Sequence, residues 1–162
     1  MEPVRLMIRP MLGDDVDEVV ELAAVMYRES VNYLAMEFSP ERVREMAAMA
    51  MDSGFAMVAV EEGRIIGLMA GSLVQPAFSR DLMACDFLLY ILPQYRGGIA
   101  AIRLVNAYVD WSKRGGAKLI TAGVTAGIDN DAAIAFYKAA GFRVSGVQMM
   151  MDCSATGQPV KP

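Results

Sequence analysis

The stretch Asp86-Phe87-Leu88-Leu89-Tyr90-Ile91-Leu92-Pro93-Gln94-Tyr95-Arg96-Gly97-Gly98-Ile99-Ala100-Ala101 decides how the chain is read. Its first half is apolar and aromatic, the composition of a buried strand. Pro93 has no N–H to give to a sheet ladder, so the strand is expected to end there. Arg96-Gly97-Gly98 follows as a turn with little side-chain bulk. From Ile99 to Trp111, apolar residues recur at Ile102, Val105, Tyr108 and Val109, a helical period. Strand, glycine turn and helix in succession aim backbone N–H groups, and the positive end of a helix dipole, at the space above the turn. That arrangement suits a phosphate or pyrophosphate.

The turn fits neither common nucleotide signature. A P-loop carries Lys and then Ser or Thr after its last Gly, whereas Ile99-Ala100 follows Gly98, and the spacing G-x-G-x-x-G is missing. A second stretch reads Asn130-Asp131-Ala132-Ala133-Ile134-Ala135-Phe136-Tyr137-Lys138-Ala139-Ala140-Gly141-Phe142. Together the two resemble the signature segments of the GNAT superfamily of acetyl-CoA-dependent N-acetyltransferases. The first family segment is a strand, a Pro, then Tyr-Arg-Gly with the core Q/R-x-x-G-x-G/A; the later one is an Asn, a helix carrying Tyr, then Gly-Phe. Arg96 fills the first core position and Ala101 the last, while Ile99 stands where the family usually has its central Gly. The segments occur in the family's order and cover the C-terminal half. The N-terminal half agrees in its order of elements.

The resemblance implies acetyl-CoA as cosubstrate and an amine, small-molecule or peptide, as acceptor. Its pyrophosphate would meet the N–H groups of Arg96, Gly97, Gly98, Ile99, Ala100 and Ala101, with Arg96 adding charge. An Ile99 Cβ facing the phosphates would crowd them, and Gly97-Gly98 would then make the close approach instead. Backbone near Ile91 would pair with the pantetheine arm. Tyr137 takes the family's general-acid position, and a phenol with an ordinary pKa of about 10 suits a thiolate leaving group. Asn130 would contact the cofactor arm or cap its helix. The resemblance also puts residues 32–38 at the acceptor wall, with Tyr27, Tyr33 and Phe38 as candidates; helix packing is the plainer reading of those aromatics. A non-catalytic CoA-binding or protein-interaction module with the same fold is the alternative to an enzyme.

Asp86 stands out without the resemblance. An acid among apolar strand neighbours is unusual unless it is paired or functional. The chain has no His, which excludes imidazole zinc sites and Ser-His or Cys-His nucleophile pairs, and no metal site is expected. A carboxylate is then the natural base for an amine, and Asp86 is the candidate. Pairing with a buried Arg or Lys is its other reading.

A chain of 162 residues suits one domain with a real core, expected over residues 1–154, with 155–162 as a loose tail. No apolar run approaches the roughly 20 residues of a membrane span, and Glu2 and Arg5 flank the first apolar segment, unlike a secretory signal. Two cysteines, Cys85 and Cys153, make no disulfide framework, so a cytoplasmic location is expected. The net charge of −4 argues against broad nucleic-acid binding.

In order, the sequence predicts a strand over Val4–Met11 and a helix capped by Asp14 or Asp15. A second helix follows, with Ser39 as cap and Pro40 first. A hairpin comes next, Phe55–Val60 and Ile65–Val74, turning at Gly63. The central strand leads into its helix, which stops at Gly115-Gly116. A strand over Lys118–Val124, a helix capped by Asp129 or Asn130, and a last strand over Phe142–Met151 complete the chain. In that strand Met149-Met150-Met151 would fill the core, or meet a second copy if the strand lies at an edge. The fold class is α/β, a single-domain mixed sheet with flanking helices.

Overall fold

β2 (Phe55–Glu61) and β3 (Arg64–Val74) are joined by Glu62-Gly63 and form the antiparallel hairpin on which the sheet is built. The computed structural model describes residues 5–153. β1 (Met7–Pro10) pairs antiparallel with β2, β4 (Leu82–Ile91) antiparallel with β3, and β5 (Ala117–Thr121) parallel with β4. The result is one mixed sheet in the order β1-β2-β3-β4-β5. The parallel pair needs a crossover, which the predicted helix supplies as α3 (Ala100–Arg114).

Three further helices complete the described chain: α1 (Val16–Glu29), α2 (Pro40–Ser53) and α4 (Asn130–Ala139). α2 starts as its sequence directs, with Ser39 Oγ accepting the Arg42 N–H at 3.1 Å and Pro40 as the first helical residue. α1 starts less simply. A short 3-10 turn (Gly13–Asp15) precedes it, and the Asp15 carboxylate accepts the Leu12 N–H at 2.7 Å while pairing with Arg9 at 2.6 Å. Asp15 therefore ties the end of β1 to the start of α1.

The described chain forms two compact units. One comprises residues up to 26 and 39–123, and so holds the whole sheet, α2, α3 and most of α1. The other comprises residues 27–38 and those from 124 onward, α4 included. Within the first unit, Phe55 and Gly71 face α3, where the Phe55 ring lies 5.4 Å from both Tyr108 and Trp111. Neighbouring strand residues point oppositely, so Leu68 and Ala70 face α1 and α2. β3 is therefore covered on both sides, and Ile65 to Gly71 is an unbroken buried run. Val58, Met69, Leu104, Val105 and Tyr108 are the largest apolar side chains with no more than a trace of exposure.

Two readings are corrected. The strand expected over Phe142–Met151 is absent: residues 142–153 pair with no strand among the described residues. Met149, Met150 and Met151 consequently do not pack in the core, and Met149 and Met151 are each 86% exposed. Their alternation suits a strand, but no neighbouring strand among the described residues offers the hydrogen bonds or the covered face that such a pattern needs. β5 also ends at Thr121 rather than Val124. The expected tail, 155–162, and Val4 lie outside the described residues. No helix among the described residues is long and apolar enough to cross a membrane.

Candidate active site

β4 does not run evenly beside its neighbours. Against β3, Leu88 lies opposite Ala70 and Asp86 opposite Gly71, so Phe87 is an extra, unpaired residue, a β-bulge. Against β5, pairing stops at Cys85 opposite Thr121. That last rung is pinned from two sides: the Tyr108 hydroxyl donates to the Thr121 carbonyl at 3.1 Å, and the Thr121 hydroxyl to the Ala84 carbonyl at 3.0 Å. Beyond it β4 and β5 pair no further. From Asp86 to Ile91 the outer edge of β4 has no strand beside it among the described residues.

Asp86 sits where the two part. Its Oδ1 accepts the Gly123 N–H at 2.9 Å, bridging the gap just past the end of β5. Burial pushes the carboxyl up to a pKa of about 6, and the Gly123 N–H offsets part of that rise. The expected alternative, a buried Arg or Lys, is not what holds it; the partner is backbone. A carboxyl poised near pH 6 in a chain without His is well matched to moving a proton.

The glycine turn lies one strand-length further on. Pro93 ends β4 in a 3-10 turn, Pro93–Tyr95, and α3 begins at Ala100 with Ile99 as its cap residue. Gly97 has φ +82°, a conformation that other residues adopt only under strain, and a Cβ there would meet nothing within 4 Å. The first-turn N–H groups of α3, Ala100 to Ile102, have no carbonyl a turn earlier in the helix. Gly97, Gly98 and Ile99 around them are exposed, and the Ile99 side chain is 61% exposed rather than packed under the turn. An exposed turn backed by a 15-residue helix's N-terminus fits a pyrophosphate.

Arg96 is placed differently from the simplest expectation. Its Nε donates to the Ile91 carbonyl at 3.0 Å, and its guanidinium carbon lies 5.2 Å from the centre of the Tyr90 ring. The charge thus stays beside the turn while the side chain braces it against the end of β4. The Leu92 N–H goes to the Ile66 carbonyl at 2.9 Å, so by strand alternation the Ile91 N–H and C=O face away from β3, along the open edge. Arg96 occupies that carbonyl, and the N–H is what Ile91 presents to an arm lying along the strand.

Asp86, Ile91 and residues 96–101 are therefore brought onto one strand and the helix after it. Asn130 and Tyr137 belong to the second unit. There Asp129, not Asn130, caps α4, accepting the Ala132 N–H at 3.2 Å, and Asn130 is the exposed first residue of the helix. Tyr137 is buried, its ring 5.2 Å from Phe136 and 5.4 Å from Phe142. In the same unit the Tyr27 hydroxyl donates to the Met36 carbonyl at 2.6 Å and its ring lies 5.4 Å from Phe38, so these two pack on each other. Asn32 Nδ2 donates to the Thr125 carbonyl at 2.6 Å and Ser30 to that of Ala126. Phe87, Gly123, Tyr108 and Thr121 were invisible as site residues in the sequence, because a bulge and a strand parting are set by register rather than by residue type.

The sequence matches the acetyltransferase (GNAT) family over residues 17–142. No curated protein matches it. Solved structures do. An acetyltransferase of Trypanosoma brucei is 22% identical, with a TM-score of 0.69 over 91% of this chain and 99% of that one. The aminoglycoside N-acetyltransferase AAC(6')-Iy in complex with CoA is 15% identical, with a TM-score of 0.71 over 93% and 97%. A transcriptional regulator from Bacillus halodurans is 17% identical, with a TM-score of 0.72 over 91% and 99%. At such identities the likeness is one of fold. With a family match spanning most of the chain, a mixed sheet of the same architecture, and a glycine turn at a helix N-terminus beside a parted strand, the chain belongs to the GNAT acetyltransferase family.

Proposed function

We propose that the chain, with residues 1–154 working as one domain, is an N-acetyltransferase that moves an acetyl group from acetyl-CoA directly to an amine. The observation that carries this is the run of β4 itself: a half-buried carboxylate at the parting of two strands, an edge with no strand beside it, and a glycine turn at a helix N-terminus at its end. The CoA complex of a structural neighbour supports acetyl-CoA as the cosubstrate. The N-terminus of α3, with Gly97 and Gly98, receives the pyrophosphate. The Ile91 N–H pairs with the amide-bearing arm. The thioester supplies an acetyl group already activated for transfer.

The remaining work belongs to side chains. Asp86, ionised above about pH 6, takes the proton that an ammonium must lose before its nitrogen can attack. As the C–N bond forms and the C–S bond breaks, Tyr137 gives its proton to the thiolate and takes back the second proton, which the acylated nitrogen releases as it becomes an amide. Asn130 lines the cofactor arm. The acceptor is a small-molecule or peptide amine; the two free cysteines suit a reducing cytoplasm, and exposed Met149–Met151 are the contact through which a homodimer would form.

Turnover of acetyl-CoA with a panel of amines tests the reading. Tyr137→Phe keeps the ring and its packing, so CoA affinity should hold while transfer falls by roughly 10²–10⁴. Full turnover by that variant would take the proton from Tyr137 and give it to solvent or another group. CoA binding without transfer to any amine would make the chain a binding module.

A further inference from the structure

β1 covers the edge of β2 only from Met57 to Val60, and the last contact past it is the Met11 N–H to the Ala56 carbonyl at 3.0 Å. The start of β2 thus has no strand on its outer side among the described residues. A groove of about 400 Å³ lies there, within the first unit. Sites that hold small molecules run from roughly 300 to 1,000 Å³. Met51 of α2, Met57 of β2 and Trp111 of α3 wall the groove, and Asp110 and Arg114 of α3 are its charged residues. Every other lining residue is glycine, proline or an apolar side chain.

Asp110 and Arg114 stand one helical turn apart, a spacing at which opposite charges can meet. They do not pair with each other, and neither side chain forms an ion pair or a hydrogen bond among the described residues. A carboxylate and a guanidinium left open on one wall match a ligand that carries an ammonium and a carboxylate close together, as the head group of an α-amino acid does. Arginine's fork can hold a carboxylate by two parallel N–H bonds. α2 ends beside the groove, and the carbonyls of its last turn, with no helical N–H beyond them, add to the pull of Asp110 on an ammonium. Trp111 is half-buried and its ring lies 5.4 Å from that of Phe55, so it offers a fixed aromatic face to an apolar side chain. α3 rises about 1.5 Å per residue, which puts Asp110 and Arg114 roughly 15–21 Å along it from Ala100 and the glycine turn.

We propose that this groove is a second binding site, for a free α-amino acid with a large apolar side chain. Arg114 takes its carboxylate, Asp110 its ammonium, and Trp111 its side chain. The site stands whether or not the chain transfers acetyl groups.

Trp111 is the only tryptophan of the chain, so its fluorescence reports on the groove without a label. The test titrates the protein with L-phenylalanine, with phenethylamine, which lacks the carboxylate, with phenylpropionate, which lacks the ammonium, and with glycine, which lacks the side chain. L-phenylalanine should give a saturable change with the same midpoint in the presence and absence of acetyl-CoA. Phenethylamine and phenylpropionate should each need about two- to fivefold more ligand, the scale of a solvent-exposed ion pair. Glycine should need at least about tenfold more, because it leaves the apolar walls wet. Arg114→Gln should bind L-phenylalanine no better than phenethylamine, and Asp110→Asn no better than phenylpropionate. No saturable change, equal midpoints for L-phenylalanine and its analogues, preferences that survive both substitutions, or displacement by acetyl-CoA would each overturn the proposal. Should either variant fail to fold, the four wild-type titrations decide alone. A protein that ignores acetyl-CoA but binds L-phenylalanine in this order would keep the site and remove the transferase.

Discussion

Asp86 is held between burial, which favours its neutral form, and the Gly123 N–H, which favours the carboxylate; burial dominates and the pKa rises to about 6. In the unfolded chain the same group titrates near its ordinary 3.8. The folded state therefore binds this proton more tightly, and the resulting stabilisation is complete below about pH 4 and lost as pH rises through 6. Two pKa units correspond to roughly 3 kcal/mol. Asp86→Asn keeps an acceptor for Gly123 but does not titrate. Urea denaturation from pH 4 to 7 should thus show the wild type losing stability relative to Asp86→Asn across that window, and parallel curves would mean the carboxyl is not perturbed. Transfer by the wild type should rise with pH through about 6, a limb that Asp86→Asn lacks. That Asp86 is special could be read from an acid in an apolar strand. Its partner could not, since Gly123 is 37 residues away and contributes only backbone.

At the scale of elements, the bulge in β4 is built against Gly71 of β3. A Cβ on Gly71 would lie 2.7 Å from the Cys85 carbonyl oxygen and 3.0 Å from Tyr108 Cε2. Neither can yield easily, since one is backbone and the other belongs to a fully buried ring. Gly71→Ala should therefore destabilise the protein by about 1–3 kcal/mol and displace Asp86 from Gly123; unchanged urea stability would show that the strand pair is soft there. Elements whose signals are local were legible in advance. Ser39-Pro40 opens α2, Glu62-Gly63 closes the hairpin, Pro93 ends β4 and Gly115 follows α3. The bulge was not, because register depends on what two strands place opposite each other. The strand misassigned to 142–151 failed for the same reason: Val147, Met149 and Met151 have the spacing of a strand, but spacing supplies no partner.

At the scale of the whole molecule, the proposed function asks a chain of net charge −4 to hold an anionic cosubstrate. Its bulk charge works against that, so affinity must come from the helix N-terminus and Arg96 locally, and should weaken as salt screens them. Arg96→Ala should weaken CoA binding, most clearly at low salt, and loosen the turn from Ile91 and Tyr90 as well. Ile99→Gly should leave affinity about unchanged, since the side chain is exposed and its N–H remains. The most direct measurement is a titration of the protein with acetyl-CoA, following the melting temperature and the backbone amide signals together. A ligand confined to the folded state stabilises it by about 2.7 kcal/mol at a hundred times its Kd. The account predicts a rise in Tm that saturates, with the largest amide shifts at Gly97, Gly98 and Ile99. Neither a Tm change nor shifts at those three residues under high acetyl-CoA would contradict it.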